Sequence, residues 1–232
     1  MTQSTTQVEV YLEIGKKRTF AGALDWPGWC RMGRDEPSAL QALLDYGSRY
    51  AKILHTAQIT FQAPDDLSAF SIVERLVGNA TTDFGAPDIA PSADTQAITD
   101  REFQRYQALL EAYWQAFDTA VLAATGKELR KGPRGGGRDL DKIADHVLDV
   151  DVAYLSRLGQ RFKRKTGGDR TEALGQVRQA ILAALSSAAR GELPEHGPRG
   201  GVFWKPRYFV RRMAWHVLDH IWEIEERVVE AN

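Results

Sequence analysis

A single cysteine, Cys30, in a chain of 232 residues excludes an intrachain disulfide and any cluster of thiolate metal ligands. Strong net charge is lacking too: 30 Lys and Arg stand against 31 Asp and Glu. The balance is −4 over residues 1–98 (8 basic, 12 acidic) and +3 over residues 99–232 (22 basic, 19 acidic). An asymmetry that mild describes a local basic rim, not a nucleic-acid footprint, and no nucleic-acid partner is expected. No apolar run approaches the roughly 20 residues that span a bilayer, so no membrane partner is expected either. Met1 to Gln7 is polar and uncharged, without the basic and apolar stretches of a signal peptide, and predicts a cytoplasmic protein. Low-complexity tracts are absent, and an apolar share of 43% supplies a core for one large or two small domains.

The hydrophobic period changes along the chain. Val8-Glu9-Val10-Tyr11-Leu12-Glu13-Ile14 alternates apolar and acidic residues, the period of a half-buried strand. Gly15-Lys16-Lys17 reads as a turn and Arg18 to Leu24 as the hairpin partner. Pro27-Gly28 marks a second turn. Asp35 then caps a helix with Pro37 in its first turn and Leu40, Leu43, Leu44 and Tyr50 at helical spacing. Gln58 to Gln62 and Phe70 to Leu76 read as further strands, and Gly85 to Thr99 as a linker. Beyond it the pattern is helical. Thr99-Asp100-Arg101-Glu102 has the form of a capping box opening a helix towards Ala124. Asp139 caps a second helix to about Lys163, Asp169 a third to about Arg190, and a fourth runs from about Pro206 to Glu230. The expected fold is therefore α+β: an α/β module over residues 1–90, then an up-down four-helix bundle over 91–232.

Gly-Pro-Arg-Gly-Gly occurs twice, at 132–136 and 197–201, each copy ahead of a helix carrying Ala-x-His-Val-Leu-Asp, at 144–149 and 214–219. His216 and His220 are four apart, so both imidazoles lie on one helix face, as in helices that offer two ligands to one metal. Met213, Val217, Ile221 and Ile224 place that face at the apolar seam, and Ile143, Val147, Val150 and Leu155 do the same for His146. Half-buried imidazoles need partners. Two readings stay open: a shared metal ion, or satisfaction by Asp145, Asp149, Asp219 or Glu223. His55 and His196 lack such surroundings.

Ile143-Ala144-Asp145-His146-Val147-Leu148-Asp149, together with Arg212-Met213-Ala214-Trp215-His216-Val217-Leu218-Asp219-His220-Ile221-Trp222-Glu223, resembles the DinB-like superfamily of four-helix metalloproteins over about residues 99–232. The resemblance implies a divalent metal held by His146, His216 and His220. Some members are S-transferases that use a low-molecular-weight thiol such as bacillithiol or mycothiol. Others look like hydrolases or isomerases, and members often pair through their bundles. It thus implies a small-molecule substrate, metal-dependent transferase or hydrolase chemistry, and a homodimer.

Three neutral imidazoles leave a metal its full charge and an open position, the arrangement of a catalytic rather than a structural zinc site. Imidazole suits zinc first, and nickel or iron as well. Asp149, one turn after His146, and Glu223, just after His220, are candidate orienting groups or bases, although Arg227 is spaced to pair with Glu223. Arg134 and Arg199 in the two glycine-rich turns are candidate anion contacts that would steer an anionic substrate or thiol.

Near the N-terminus, Tyr11-Leu12-Glu13, Ala23-Leu24-Asp25-Trp26-Pro27-Gly28-Trp29, Gly33-Arg34-Asp35-Glu36 and Ala39 to Leu44 resemble the HicB-like β-β-β-α-β unit. That family's DNA-binding tail has no counterpart here, so an interaction or substrate-gating module is expected. The alternative for the whole chain is a non-catalytic metal-binding protein that recruits a partner through this module.

Overall fold

The computed structural model describes residues 7–131, 137–163, 167–198 and 200–229. The chain is α+β and forms two compact units, Met1–Thr95 and Gln96–Asn232.

The first unit holds a four-stranded sheet of β1 (Val8–Ile14), β2 (Thr19–Ala23), β3 (Cys30–Gly33) and β4 (Phe70–Val77) in the order β3-β2-β1-β4. The β1–β2 and β2–β3 pairs are antiparallel, with Leu12 opposite Ala21 and Phe20 opposite Met32. The β1–β4 pair is parallel, which requires a crossover, and α1 (Glu36–Asp45) with α2 (Gly47–Thr56) supplies it. Asp35 starts α1 by accepting a hydrogen bond from the Ser38 amide at 2.9 Å, and the Asp35 amide donates in turn to the Ser38 hydroxyl at 3.1 Å.

The start of α1 sits so close to the sheet that a Cβ on Gly33 would lie 2.3 Å from the Ala39 nitrogen. Gly33→Ala forces backbone atoms apart, and we expect it to destabilise this unit by about 1–3 kcal/mol, the usual cost of overpacking. Urea unfolding followed by tryptophan fluorescence reads this; an unchanged midpoint would show that α1 adjusts freely.

Under the helices Trp29 stacks on Tyr50, 5.8 Å between ring centres, and donates from Nε1 to the Leu43 carbonyl at 2.8 Å. Residues 58–62, expected as a strand, are irregular instead. Gln58 turns the chain with a φ of 59°, and Phe61 packs edge-on to Trp26, Trp29 and Tyr50, so its side chain is spent on the aromatic core and not on a ladder.

The fully buried Glu13 of β1 is a polar staple. Its carboxylate accepts from the Asp88 amide at 2.9 Å, the Ile89 amide at 3.1 Å and the Thr82 hydroxyl. Burial raises its pKa against those hydrogen bonds. It thereby ties the sheet to α3 (Ala80–Phe84) and to the segment read as a plain linker.

The second unit consists of α4 (Asp100–Ala124), α5 (Leu140–Arg157), α6 (Arg170–Ala189) and α7 (Pro206–Arg227). Thr99, Asp139 and Asp169 each cap their helix through a side-chain oxygen, as their positions predict. Two ends fall short of expectation. α5 stops at Arg157 rather than about Lys163, because Gly159 turns the chain with a φ of 80°. α7 stops at Arg227 rather than Glu230, because Val228 leaves it to bridge Leu129.

α7 packs on α4 and α5, and α6 on α4 and α5. Val210, Met213, Ala214, Val217, Leu218 and Ile221 of α7 are essentially inaccessible to solvent. Each large apolar side chain buried this way contributes roughly 1.5–3 kcal/mol before chain entropy is charged against it. No described helix is long and apolar enough to cross a membrane.

Candidate metal centre

α5 carries His146, half-exposed, and α7 carries His216 and His220, which are 6% and 7% exposed. The Nε2 of His216 lies 3.2 Å from that of His146 and 3.2 Å from that of His220. One ligand atom from each ring falls within 4.8 Å of the other two. Nitrogens bound to one tetrahedral zinc at about 2.0–2.1 Å stand roughly 3.3–3.4 Å apart, so the spacing suits a shared ion.

The tautomers point the same way. His220 Nδ1 faces Glu223 Oε2 at 2.8 Å, which places the proton on Nδ1 and the lone pair on Nε2. His216 is buried with no hydrogen-bond partner on Nδ1. If its proton sits on Nδ1, two Nε2 lone pairs confront each other; if on Nε2, a buried acceptor is stranded. A cation among the three nitrogens removes the repulsion of the first arrangement. The donor set therefore fits a divalent metal.

Burial, with nearby positive charge, keeps His146 and His216 neutral. Burial pushes His146 down to about 4, helped by the charges of His220 and Arg138 and opposed by Asp149 and Glu223. Burial also holds His216 well below its ordinary value, with His220, His146, Arg212 and Arg138 adding to it. Neutral imidazoles have a lone pair to give without first losing a proton.

Glu223 does more than pair with Arg227. One oxygen meets His220 and the other accepts from Arg227 Nη1. Burial works against its ionisation, but the hydrogen bonds and charges of His220 and Arg227 outweigh it and hold the carboxyl below the usual range. Arg227, 7% exposed, is itself fixed by the carbonyls of Arg130 and Arg138, each at 2.8 Å, and its own carbonyl accepts from the Arg130 amide at 2.7 Å. A chain of contacts thus runs from His220 through Glu223 and Arg227 to the residues flanking the first glycine-rich turn.

Asp149 is exposed, and its negative charge acts on His146 across the helix surface. Asp145 lies towards Arg170, at 3.9 Å. Arg134 and Arg199 lie outside the described residues. Arg227, spaced to pair with Glu223, does so and supports it. The spacing of α7 held one further signal with no role assigned to it: Arg212 stands one turn before His216. Arg212 donates to the Tyr154 hydroxyl at 3.1 Å, and the Tyr154 ring lies 5.9 Å from that of His216.

No protein-family model, curated protein or solved structure matches this chain.

Proposed function

We propose that this chain binds one divalent metal ion, zinc in the first place, through His146, His216 and His220. On this reading it is a metal-dependent transferase or hydrolase of the DinB-like type that acts on a small molecule. The observation that carries the proposal is the convergence of three imidazole nitrogens, one of them fixed in its ligating tautomer by Glu223. The bound metal would supply a Lewis acid that acidifies a water or a low-molecular-weight thiol near neutral pH. The protein's own residues prepare for it. Burial keeps His146 and His216 neutral, Glu223 accepts a hydrogen bond from His220 Nδ1, and Arg227 keeps Glu223 ionised and in place. Asp149, exposed and close to one turn beyond His146, is a carboxylate whose charge acts on that ring from the solvent side.

Competition against a chromophoric chelator tests the arrangement. Glu223→Gln removes the charge between His220 and Arg227 but keeps the side chain's size. Zinc affinity is expected to fall about 10–100-fold, the usual cost of losing the partner of a ligating histidine. Unchanged affinity would mean that Glu223 only braces the end of α7.

A further inference from the structure

The two helices that carry the histidines are tied a second time, through one guanidinium. Arg227 closes α7, seven residues after His220 and so about 10 Å further along the helix. Arg138 stands eight residues before His146, just ahead of the Asp139 cap of α5. Arg227 Nη2 donates to the Arg138 carbonyl and Nε to the Arg130 carbonyl, each at 2.8 Å, while Nη1 donates to Glu223 Oε1. One planar group thus joins the His220–Glu223 pair, the lead-in to α5 and the chain between α4 and α5. The Arg130 segment holds the end of α7 in return. Its amide donates to the Arg227 carbonyl at 2.7 Å and its Nη2 to the Glu226 carbonyl at 2.6 Å. The Val229 amide donates to the Glu128 carbonyl at 2.9 Å, beside an antiparallel bridge between Leu129 and Val228. A basic residue that only answers the dipole of a helix C-terminus can do so from solvent. Arg227 is 7% exposed, and all three of its side-chain nitrogens are engaged.

We propose that Arg227 is a positioning residue of the metal centre: it sets the gap between α5 and α7, and with it the reach of His146 towards His216 and His220. The inference rests on the metal reading above and adds a coupling between the ion and this clamp. The physical reason is tolerance. Ligating nitrogens must keep within about 0.2 Å of their bond length, yet His146 comes from a different helix than the other two. The bond from Arg227 to the Arg138 carbonyl ties those same two helices. By linkage, whatever tightens the clamp favours the ion, and the ion in turn tightens the clamp. Lysine cannot stand in for Arg227, because its single nitrogen lacks the planar fork that reaches three acceptors in different directions.

Zinc affinity of the full chain, measured against a chromophoric chelator, tests this in a double-mutant cycle of Arg227→Lys and Glu223→Gln. Arg227→Lys alone is expected to lower the affinity by about tenfold or more, as for loss of a partner that supports a ligand. In the Glu223→Gln background it is expected to lower the affinity again, by several-fold, because the tie to α5 does not pass through Glu223. The proposal is overturned if Arg227→Lys binds zinc like the parent. It is equally overturned if the cost vanishes once Glu223 is replaced, since Arg227 would then act through Glu223 alone. Should Arg227→Lys fail to fold, hydrogen exchange in the unsubstituted chain decides. Zinc is expected to slow exchange of the Arg130 and Val229 amides, whose acceptors lie across the clamp, by several-fold. Exchange there that ignores zinc overturns the coupling. A folded parent chain that takes up no zinc overturns the metal reading together with this one, whereas zinc binding indifferent to Arg227 overturns this one alone.

Discussion

Replacing Asp151 by asparagine is expected to stabilise the helical unit at neutral pH by roughly 2–4 kcal/mol and to do almost nothing near pH 4. Asp151 sits on α5 with no solvent exposure, and neither carboxylate oxygen has a hydrogen-bond partner. Burial raises its pKa from 3.8 to about 7, with Arg178 opposing the shift and Asp118 adding to it. Arg178 is already engaged, donating to both oxygens of Asp118 at 2.7 and 2.9 Å, so its attraction for Asp151 is shared. The sign follows from proton linkage. Below pH 3.8 the folded and unfolded chains both hold the proton. Between 3.8 and about 7 the folded chain keeps a proton that the unfolded chain has lost, so stability falls as pH rises. At about 1.36 kcal/mol per pH unit the full loss is roughly 4 kcal/mol, complete above pH 7. Asparagine has no such slope and leaves a comparable buried polar group, so the comparison isolates the charge. Urea unfolding of both proteins at pH 5 and pH 8 measures it. Parallel curves would show that Asp151 is ionised and paired in the folded chain.

His146→Ala is expected to abolish stable metal binding and to leave the helical unit folded. Removing an outer partner of a ligand costs about 10–100-fold in affinity, so loss of a ligand should cost more than about 100-fold. His146 suits the experiment because it is half-buried, whereas His216 and His220 are buried, so its truncation opens less volume than theirs would. Metal-free stability should change by about 1 kcal/mol, the usual size for a point substitution, because His146 touches the other two rings but is only half-buried. His55→Ala is the control: His55 is exposed on α2 in the other unit, and its loss should leave the metal content alone. If His146→Ala keeps its metal, the ligand set is wrong. If the variant loses both metal and fold, the ion's role is structural.

What could be read from the sequence and what could not divide along physical lines. Spacing within one helix was readable, because helical geometry fixes it: His216 with His220, and the caps at Asp35, Thr99, Asp139 and Asp169. The alternation of Val8 to Ile14 gave the strand but not its burial: Val10 to Glu13 are all buried, because both faces of β1 are covered. Relations set by packing were not. The pattern from Leu40 to Tyr50 reads as one helix, yet the chain breaks at Tyr46 into two. Ile59 and Phe61 alternate like a strand, but Phe61 serves an aromatic cluster whose members are distant in sequence. Val150-Asp151-Val152 gives no sign that Asp151 is sealed in, because the groups that act on it, Arg178 and Asp118, come from other helices. Glu223 shows a subtler failure. Its spacing to Arg227 argues for an ordinary surface ion pair, but a carboxylate has two oxygens, and here one serves Arg227 and the other His220. What holds Arg227 is a pair of carbonyls about ninety residues away along the chain, which no local pattern records.

The most direct test of the histidine centre is metal analysis of the full chain, purified without chelator and loaded with zinc, followed by X-ray absorption at the zinc edge. The expected result is one zinc per chain with three imidazole nitrogens at about 2.0–2.1 Å and a further light-atom ligand. A chain that retains no stoichiometric metal, or one whose zinc has fewer than three imidazoles around it, would contradict the assignment of His146, His216 and His220 as a shared metal site.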